Sequence, residues 1–95
     1  MRVYISGPIS GVADYKSNFG IAENFLCAEN HEVFNPTAFD LILPQLTYEE
    51  YMKFDIALLD LCDAIYMLKG WEKSLGANRE YGYALAAGKQ IIMEE

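Results

Sequence analysis

Basic residues are scarce in this 95-residue chain, which has 7 Lys and Arg against 14 Asp and Glu and a formal net charge of −7 at pH 7. Sequence-independent binding to nucleic acid or to an anionic membrane requires a basic face, which this balance does not supply. We therefore expect neither nucleic acid nor a membrane as a partner. A small molecule remains possible, and even a phosphate can be held by backbone N–H groups alone.

Histidine and cysteine are also rare, with one His and two Cys in the whole chain. Cys27 and Cys62 do not have CxxC spacing, and each lies among apolar residues, so we predict two buried thiols in a reducing compartment. Without a cluster of Cys and His we expect no metal site, and no cofactor is predicted.

Long apolar runs are missing as well, because no stretch reaches the roughly 18 residues that a membrane-spanning helix needs. The first residues, MRVYISGP, contain one basic residue and only a very short apolar run before Gly and Pro, unlike a signal peptide. We therefore expect a cytoplasmic protein.

What the chain does contain is an alternation of strand and helix patterns, with no repeat or linker, so residues 1–95 are predicted to form one domain. Strands are predicted over 2–6, 31–34, 63–68 and 90–93, and helices over about 15–29, 48–61 and 75–87. Residues 37–46, which include Pro44, are predicted to be loop with a turn of helix. This order requires parallel pairing through right-handed crossovers. We predict an α/β fold, a three-layer α/β/α sandwich with a parallel sheet of four or five strands, flavodoxin- or Rossmann-like.

The apolar rows of the first two helices are predicted to face the sheet. In the first helix this row comprises Phe19, Ala22 and Leu26, widened by Ile21 and Phe25. In the second helix it comprises Tyr51, Phe54, Leu58 and Leu61. Thr47 and Glu50 have the spacing of a capping box, which predicts that the second helix begins between them.

A glycine-bearing loop follows the first strand, at the sheet edge where ligands bind in such folds. The loop is neither GxGxxG nor a P-loop, so neither a dinucleotide nor a Walker site is predicted. Because glycine lets the backbone approach a ligand closely, Gly7, Pro8 and Ile9 are predicted to contact one. The alternative is an ordinary turn between strand and helix.

The start of the third helix is the second candidate site. Ser74 is a good N-cap, and the free N–H groups behind it form an anion site, while Gly76 keeps the first turn slim enough for a ligand to lie against it. Glu80 has Ala77 and Ala84 on its own side of the helix, so it is predicted to face the sheet. A buried Glu is costly unless it is paired or used, which leaves a snorkelled or Arg-paired Glu80 as the alternative to a functional one.

Four further residues have two interpretations each. Asn35 is either a turn residue or a hydrogen-bonding partner of a ligand, and Asp63 either suits a helix–strand junction or orients a ligand. Asp55 lies on a helix among apolar neighbours and is either solvated or partly buried. Trp71 is either a lid over a planar ring or a cap on the core.

Taken together, Tyr4, Asp55 and Glu80 suggest chemistry at an electrophilic carbon. One carboxylate can attack an anomeric carbon, and the other acid can protonate or hydrogen-bond the leaving group. Burial would raise the pKa of a carboxyl group and make it a usable acid near neutrality.

These motifs resemble those of the nucleoside 2-deoxyribosyltransferase-like superfamily, and more closely a small phage and bacterial family related to the deoxynucleoside 5′-monophosphate N-glycosidases. The resemblance is carried by YISGP at residues 4–8, by Asp55 and Asp63, and by SLGANREYGYA at residues 74–84. It implies that Glu80 is the nucleophile, that Tyr4 orients it and that Asp55 assists at the base or the sugar.

The same resemblance implies that Gly7 and Ser74 hold a 5′-phosphate and that Asp63 has a structural or orienting role. The activity that it implies is hydrolysis or transfer of the N-glycosidic bond of a (deoxy)nucleoside or its 5′-monophosphate. The alternative is a non-catalytic module of the same fold that binds a nucleotide or an NAD-like ligand. A homo-oligomer, dimer or tetramer, is also expected, with a tyrosine-rich face formed by Tyr48, Tyr51, Tyr81 and Tyr83.

Overall fold

The structure is a computed structural model that describes residues 1–40 and 45–95. Four strands are present, Arg2–Ser6 (β1), Glu32–Phe34 (β2), Ala64–Met67 (β3) and Gln90–Met93 (β4). Three α-helices lie between them, Tyr15–Ala28 (α1), Tyr48–Asp60 (α2) and Leu75–Ala86 (α3). Each of these elements begins and ends within one residue of its prediction. The predicted turn over 37–46 overlaps a 3₁₀ helix, Pro36–Phe39, but residues 41–44 lie outside the described residues.

The four strands form one parallel sheet in the order β2-β1-β3-β4. From β1 the chain moves to one side to reach β2, and β3 and β4 lie on the other side, so the strand order reverses between β1 and β3. Right-handed crossovers then put α1 on one face of the sheet and α2 and α3 on the other. The predicted three-layer α/β/α sandwich is therefore confirmed.

Alternate residues of β1 supply the two halves of the core, because successive side chains of a strand point to opposite faces. Val3 and Ile5 pack with Phe19 and Leu26 of α1. Tyr4 packs on the other face in the cluster that α2 and α3 cover. The residues of β1 that can reach α3 are consequently those that point to the same face of the sheet as Tyr4.

The buried row of α1 is narrower than the sequence predicts. Ile21 and Phe25 were predicted to widen it but are 63% and 52% exposed. Both lie about 90° or more around the helix axis from the row that faces the sheet. Cys27 lies on this outer side too, so the prediction of a buried thiol is wrong for Cys27 and confirmed for Cys62.

The inward side of the second helix only partly matches the predicted row, of which Leu58 packs against the core. Met52 and Leu59 are its buried residues, whereas Leu61 is 59% exposed at the C-cap. The predicted capping box is present, since Thr47 and Glu50 exchange side-chain and backbone hydrogen bonds. The helix is apolar on several sides, and packing against the sheet selects the row that contains position 55. None of the helices in the described ranges is long and apolar enough to span a membrane.

Candidate active site

Glu80 lies on the inner side of α3 and is only 6% exposed. Its Oε2 accepts a hydrogen bond of 2.7 Å from the Tyr4 hydroxyl, and its Oε1 accepts one of 2.6 Å from the Ser6 hydroxyl. The two donors are two residues apart on β1 and therefore point to the same face of the sheet. Neighbouring Arg79 points elsewhere and bonds Glu49 at 2.9 Å. The carboxyl group is thus held by two hydroxyls rather than by a cation.

The ionisation of Glu80 reflects this setting. Burial raises the pKa of its carboxyl group to about 7, and the hydrogen bonds from Ser6 and then Tyr4 oppose that rise. Burial, followed by the charge of Glu80, raises the pKa of Tyr4 well above its usual value, so the phenol keeps its proton. Near neutral pH, Glu80 can therefore exist as a carboxylate that accepts hydrogen bonds from both hydroxyls.

A cavity of about 1120 Å³ opens beside this group, at the carboxyl ends of β1 and β3. That is the point at which the strand order reverses, where open α/β sheets bind ligands. Its volume is ample for a nucleoside-sized molecule. Seven of the predicted site residues line it: Gly7, Pro8, Ile9, Asp55, Ser74, Gly76 and Glu80.

Asp55 enters the cavity from α2, where it lies one turn beyond the buried Met52. Burial raises the pKa of its carboxyl group to about 7, and the negative charges of Glu80 and Asp40 add to the rise. Asp40 also lines the cavity and accepts a 3.0 Å hydrogen bond from the Tyr15 hydroxyl. Asp55 is therefore a carboxyl group that can carry a proton near neutrality.

Each of the two glycine-containing segments packs closely against a neighbouring element at this site. A Cβ on Gly7 would lie 2.7 Å from Cβ of Leu68, so only glycine lets the end of β1 pass β3 so closely. A Cβ on Gly76 would lie 3.4 Å from the Tyr48 hydroxyl, which puts the start of α3 close to α2. Both glycines thus serve packing as well as lining the cavity.

The start of α3 is held by its own side chains. The Ser74 hydroxyl accepts a 3.2 Å bond from the N–H of Ala77, as an N-cap does. The Asn78 amide donates to the carbonyls of Glu72 and Ser74, at 3.0 and 2.8 Å, and fixes the preceding loop. The first-turn N–H groups of the helix therefore keep a defined position beside the cavity.

Two lysines bring positive charge to the same cavity. Lys69 and Lys73 line it on either side of the loop that precedes α3. Neither side chain has an ion-pair partner among the residues that the structure describes. The cavity consequently combines cations near the start of α3 with the carboxyl groups of Asp40, Asp55 and Glu80. Over residues 1–40 and 45–95, no group of three or more His, Cys, Asp or Glu is arranged to hold a metal ion.

Two residues predicted to bind a ligand lie elsewhere. The Asn35 side chain accepts a 3.0 Å bond from the N–H of Thr37 and donates one of 2.9 Å to Glu23, which is the turn interpretation. Asp63 precedes β3 at the opposite end of the sheet, where its Oδ2 accepts a 2.9 Å bond from the N–H of Arg2. These hydrogen bonds hold both side chains in place, and neither side chain lines the cavity, which corrects the prediction that they do.

Trp71 is the third predicted binding residue that does not line the cavity in the described part of the chain. Its ring lies 4.7 Å from the ring of Tyr81, and it packs against the core cluster of the α2–α3 face. Of the two interpretations, the cap on the core applies rather than the lid.

Ser6, Asp40, Lys69 and Lys73 were not recognised from the sequence. Ser6 could have been found, because a residue two positions after Tyr4 on a strand must share its face. Asp40 follows a 3₁₀ helix, and the two lysines lie in or beside a loop, so no periodic pattern indicates where their side chains point.

Solved structures with the same fold include two 2-deoxyribosyltransferases and one N-glycosidase. A 2-deoxyribosyltransferase from Bacillus psychrosaccharolyticus matches with a TM-score of 0.77 and 21% identity over 98% of this chain and 71% of that chain. A CMP N-glycosidase from Clostridium botulinum matches with a TM-score of 0.69 and 25% identity over 98% of this chain and 67% of that chain. A 2-deoxyribosyltransferase from Leishmania mexicana matches with a TM-score of 0.73 and 22% identity over 97% of this chain and 62% of that chain. The chain therefore spans less than two thirds of that enzyme.

These three enzymes therefore share the fold of this chain. Within sequence families, the chain belongs to DUF4406, which is described as a domain of unknown function and whose model matches residues 1–93. No curated protein matches the sequence significantly.

Proposed function

We propose that this protein cleaves or transfers the N-glycosidic bond of a (deoxy)nucleoside or its 5′-monophosphate, with Glu80 as the nucleophile. The observation that carries the proposal is a buried carboxyl group that lines a cavity at the strand-order reversal and is held by two hydroxyl donors. The names of the three similar enzymes, which act on 2-deoxyribosyl groups or on CMP, agree with it.

In the first step, a Glu80 oxygen attacks the anomeric carbon of the sugar. A bond forms between that oxygen and C1′ while the bond from C1′ to the base nitrogen breaks, and its electron pair leaves with the base. Asp55 gives its proton to the departing base, which its raised pKa makes possible near neutrality. The products of this step are the free base, a glycosyl ester of Glu80 and the Asp55 carboxylate.

In the second step, an acceptor releases the sugar. The Asp55 carboxylate takes a proton from water while the water oxygen bonds to C1′, and the ester bond breaks with its electron pair returning to Glu80. This yields the free sugar and restores both carboxyl groups. If an N–H of a second base replaces water, the same proton and electron movements give transfer instead of hydrolysis.

The charge distribution of the cavity fits a ligand with an anionic end. The first-turn N–H groups behind Ser74, together with Lys69 and Lys73, supply positive potential for a 5′-phosphate, while Glu80 faces the sugar. Gly7, Pro8, Ile9 and Gly76, the other predicted binding residues that line the cavity, would contact the ligand from the sides.

Incubation of the protein with a panel of ribo- and deoxynucleosides and their 5′-monophosphates tests this function, with free base measured by chromatography. We expect base release by the wild type and by Glu29→Ala, a matched control at the exposed C-cap of α1, and none by Glu80→Ala. Equal release by wild type and Glu80→Ala would reject the proposal. A ligand that raises the melting temperature without any base release would favour the non-catalytic binding module.

A further inference from the structure

The face of β1 that points toward α3 ends in a hydroxyl group. Val3 and Ile5 fill the opposite face, and on this side Tyr4 is followed by Ser6, the last residue of the strand. Ser6 is only 1% exposed, at a core position where strand alternation would suit an apolar residue. A buried hydroxyl needs a partner, and that partner is Oε1 of Glu80 at 2.6 Å.

The bonds from Ser6 and Tyr4 reach different oxygens of the same carboxyl group. Both are as short as charge-assisted O–H···O⁻ bonds, the strong class of hydrogen bond. A single donor fixes the position of one oxygen and leaves the carboxyl group free to pivot about that hydrogen bond. With a separate donor on each oxygen, such pivoting breaks one of the two bonds, so Glu80 is held in one orientation.

Ser6 acts through Glu80 and has no contact with the cavity. Among the described residues, the cavity lining includes Glu80 but neither Ser6 nor Tyr4. A ligand in the cavity can therefore reach the carboxyl group, while the two hydroxyls support that group from behind. From this geometry we propose that Ser6 is a positioning residue that fixes Glu80 for attack on the anomeric carbon. The inference rests on the proposed role of Glu80 as nucleophile.

The Ser6 hydroxyl serves both proposed steps. Before attack, its proton is shared with the Glu80 carboxylate, which it stabilises relative to the neutral acid. After attack, the same O–H can donate to an oxygen of the ester. When the ester breaks, the electron pair returns to a carboxylate whose hydrogen-bond donor is already in place, so no solvent reorganisation is needed.

A purely structural role for Ser6 makes a different prediction. If Ser6 only satisfied a buried carboxyl group, its removal would lower the stability of the fold and leave the rate per folded molecule unchanged. If Ser6 positions the nucleophile, its removal lowers kcat, leaves KM nearly unchanged and moves the acid limb of the pH–rate profile to higher pH, because Glu80 loses a bond that favours its ionised form.

The variants are Ser6→Ala, which removes the donor, and Ser6→Cys, which keeps a side chain of similar size with a weak donor. Ser17→Ala, at an exposed position on α1, is the matched control. With a substrate that the wild type turns over, we expect kcat of Ser6→Ala to fall about 10- to 100-fold, with KM within about twofold. Ser6→Cys should fall between Ser6→Ala and the wild type, and Ser17→Ala should equal the wild type. Circular dichroism confirms that each variant is folded.

A second readout needs no turnover. Carbon-13 NMR of labelled glutamate side chains follows the ionisation of Glu80 directly, and Ser6→Ala should raise its pKa relative to wild type and Ser17→Ala. A folded Ser6→Ala with wild-type kcat, or with an unchanged acid limb and Glu80 titration, overturns the inference. If the wild type releases no base from any substrate, the proposed function fails by itself, and the NMR titration still decides whether Ser6 controls the carboxyl group.

Discussion

Glu80 combines two properties that oppose each other in an ordinary core residue, since it is buried and its proposed chemistry requires a negative charge. Taking a carboxylate out of water is costly, and the protein offsets that cost with two hydroxyl donors rather than with a cation. A cation would neutralise the carboxylate and weaken it as a nucleophile, whereas hydroxyls leave its charge in place. At the residue scale, this balance sets both stability and reactivity.

The stability of the fold should depend on pH through Glu80. The pKa of this group is about 7 in the folded protein against an ordinary 4.5, so between these values the folded state binds more protons than the unfolded state. The free energy of unfolding therefore decreases as pH rises from about 4.5 to 7 and levels off above that.

Glu80→Gln is neutral at every pH and should lack this contribution. In urea titrations, we expect the stability of the variant minus that of wild type to increase by on the order of 3 kcal/mol between pH 4.5 and pH values above 7. A difference that does not change with pH would contradict the account.

The rate of base release should have a bell-shaped pH dependence. Glu80 must be ionised to attack, so the rate rises as pH passes its pKa, and Asp55 must be protonated to assist the base, so the rate falls as pH passes that pKa. Because both values are about 7, the maximum should be narrow and near neutrality. Asp55→Asn should lower the rate and remove the alkaline limb. An alkaline limb that persists in Asp55→Asn would assign the acid to another group.

At the scale of elements, the strands and helices were predictable because each has a clear pattern with its own start and stop residues. The inward row of α2 was not, because apolar residues occur around most of this helix and the sheet decides which of them it covers. That choice has a functional consequence. Because the row from Met52 to Leu59 faces inward, Asp55 lines the cavity. If the predicted row faced inward instead, Asp55 would lie on the flank of the helix.

The candidate site was predictable for residues whose side-chain direction is set by a strand or a helix. Tyr4 and Glu80 have directions set by strand and helix periodicity, and the structure brings them together. Asn35, Asp63 and Trp71 lie at ends of elements, where the direction of a side chain depends on local hydrogen bonds and ring contacts that no spacing in the sequence specifies. For that reason the sequence could not show that these three side chains lie outside the cavity lining.

The connection from β3 to α3 should determine preference for a phosphate. Replacing both Lys69 and Lys73 by Gln removes two cations from the cavity and keeps their polar side chains. We expect the KM for a 5′-monophosphate to rise at least about threefold, while the KM for the nucleoside changes little. Lys53→Gln, at an exposed position on α2, is the control. An equal change for both substrates would show that the lysines do not contact a phosphate.

At the scale of the whole molecule, apolar surface remains for a partner copy. Of the predicted tyrosine face, Tyr48 and Tyr51 line the cavity, Tyr81 packs on Trp71 and the Tyr83 hydroxyl donates to Asp60. Ile21 and Phe25, on the outer side of α1, are also exposed. Such surface favours association.

We predict a homo-oligomer, with a mass by light scattering that is a multiple of 10.8 kDa. Phe25→Glu should shift it toward the monomer. A monomer mass for the wild type at every concentration would contradict this prediction.

The central claim is that Glu80 forms a covalent bond to a sugar, and mass spectrometry of the acid-quenched protein tests it most directly. After brief incubation with a substrate whose base is released, the account predicts a wild-type species heavier by one glycosyl group, mapped by peptide digestion to Glu80. The same treatment of Glu80→Gln should give no such species. A glycosyl group found on another residue, or one that also forms in Glu80→Gln, would contradict the account.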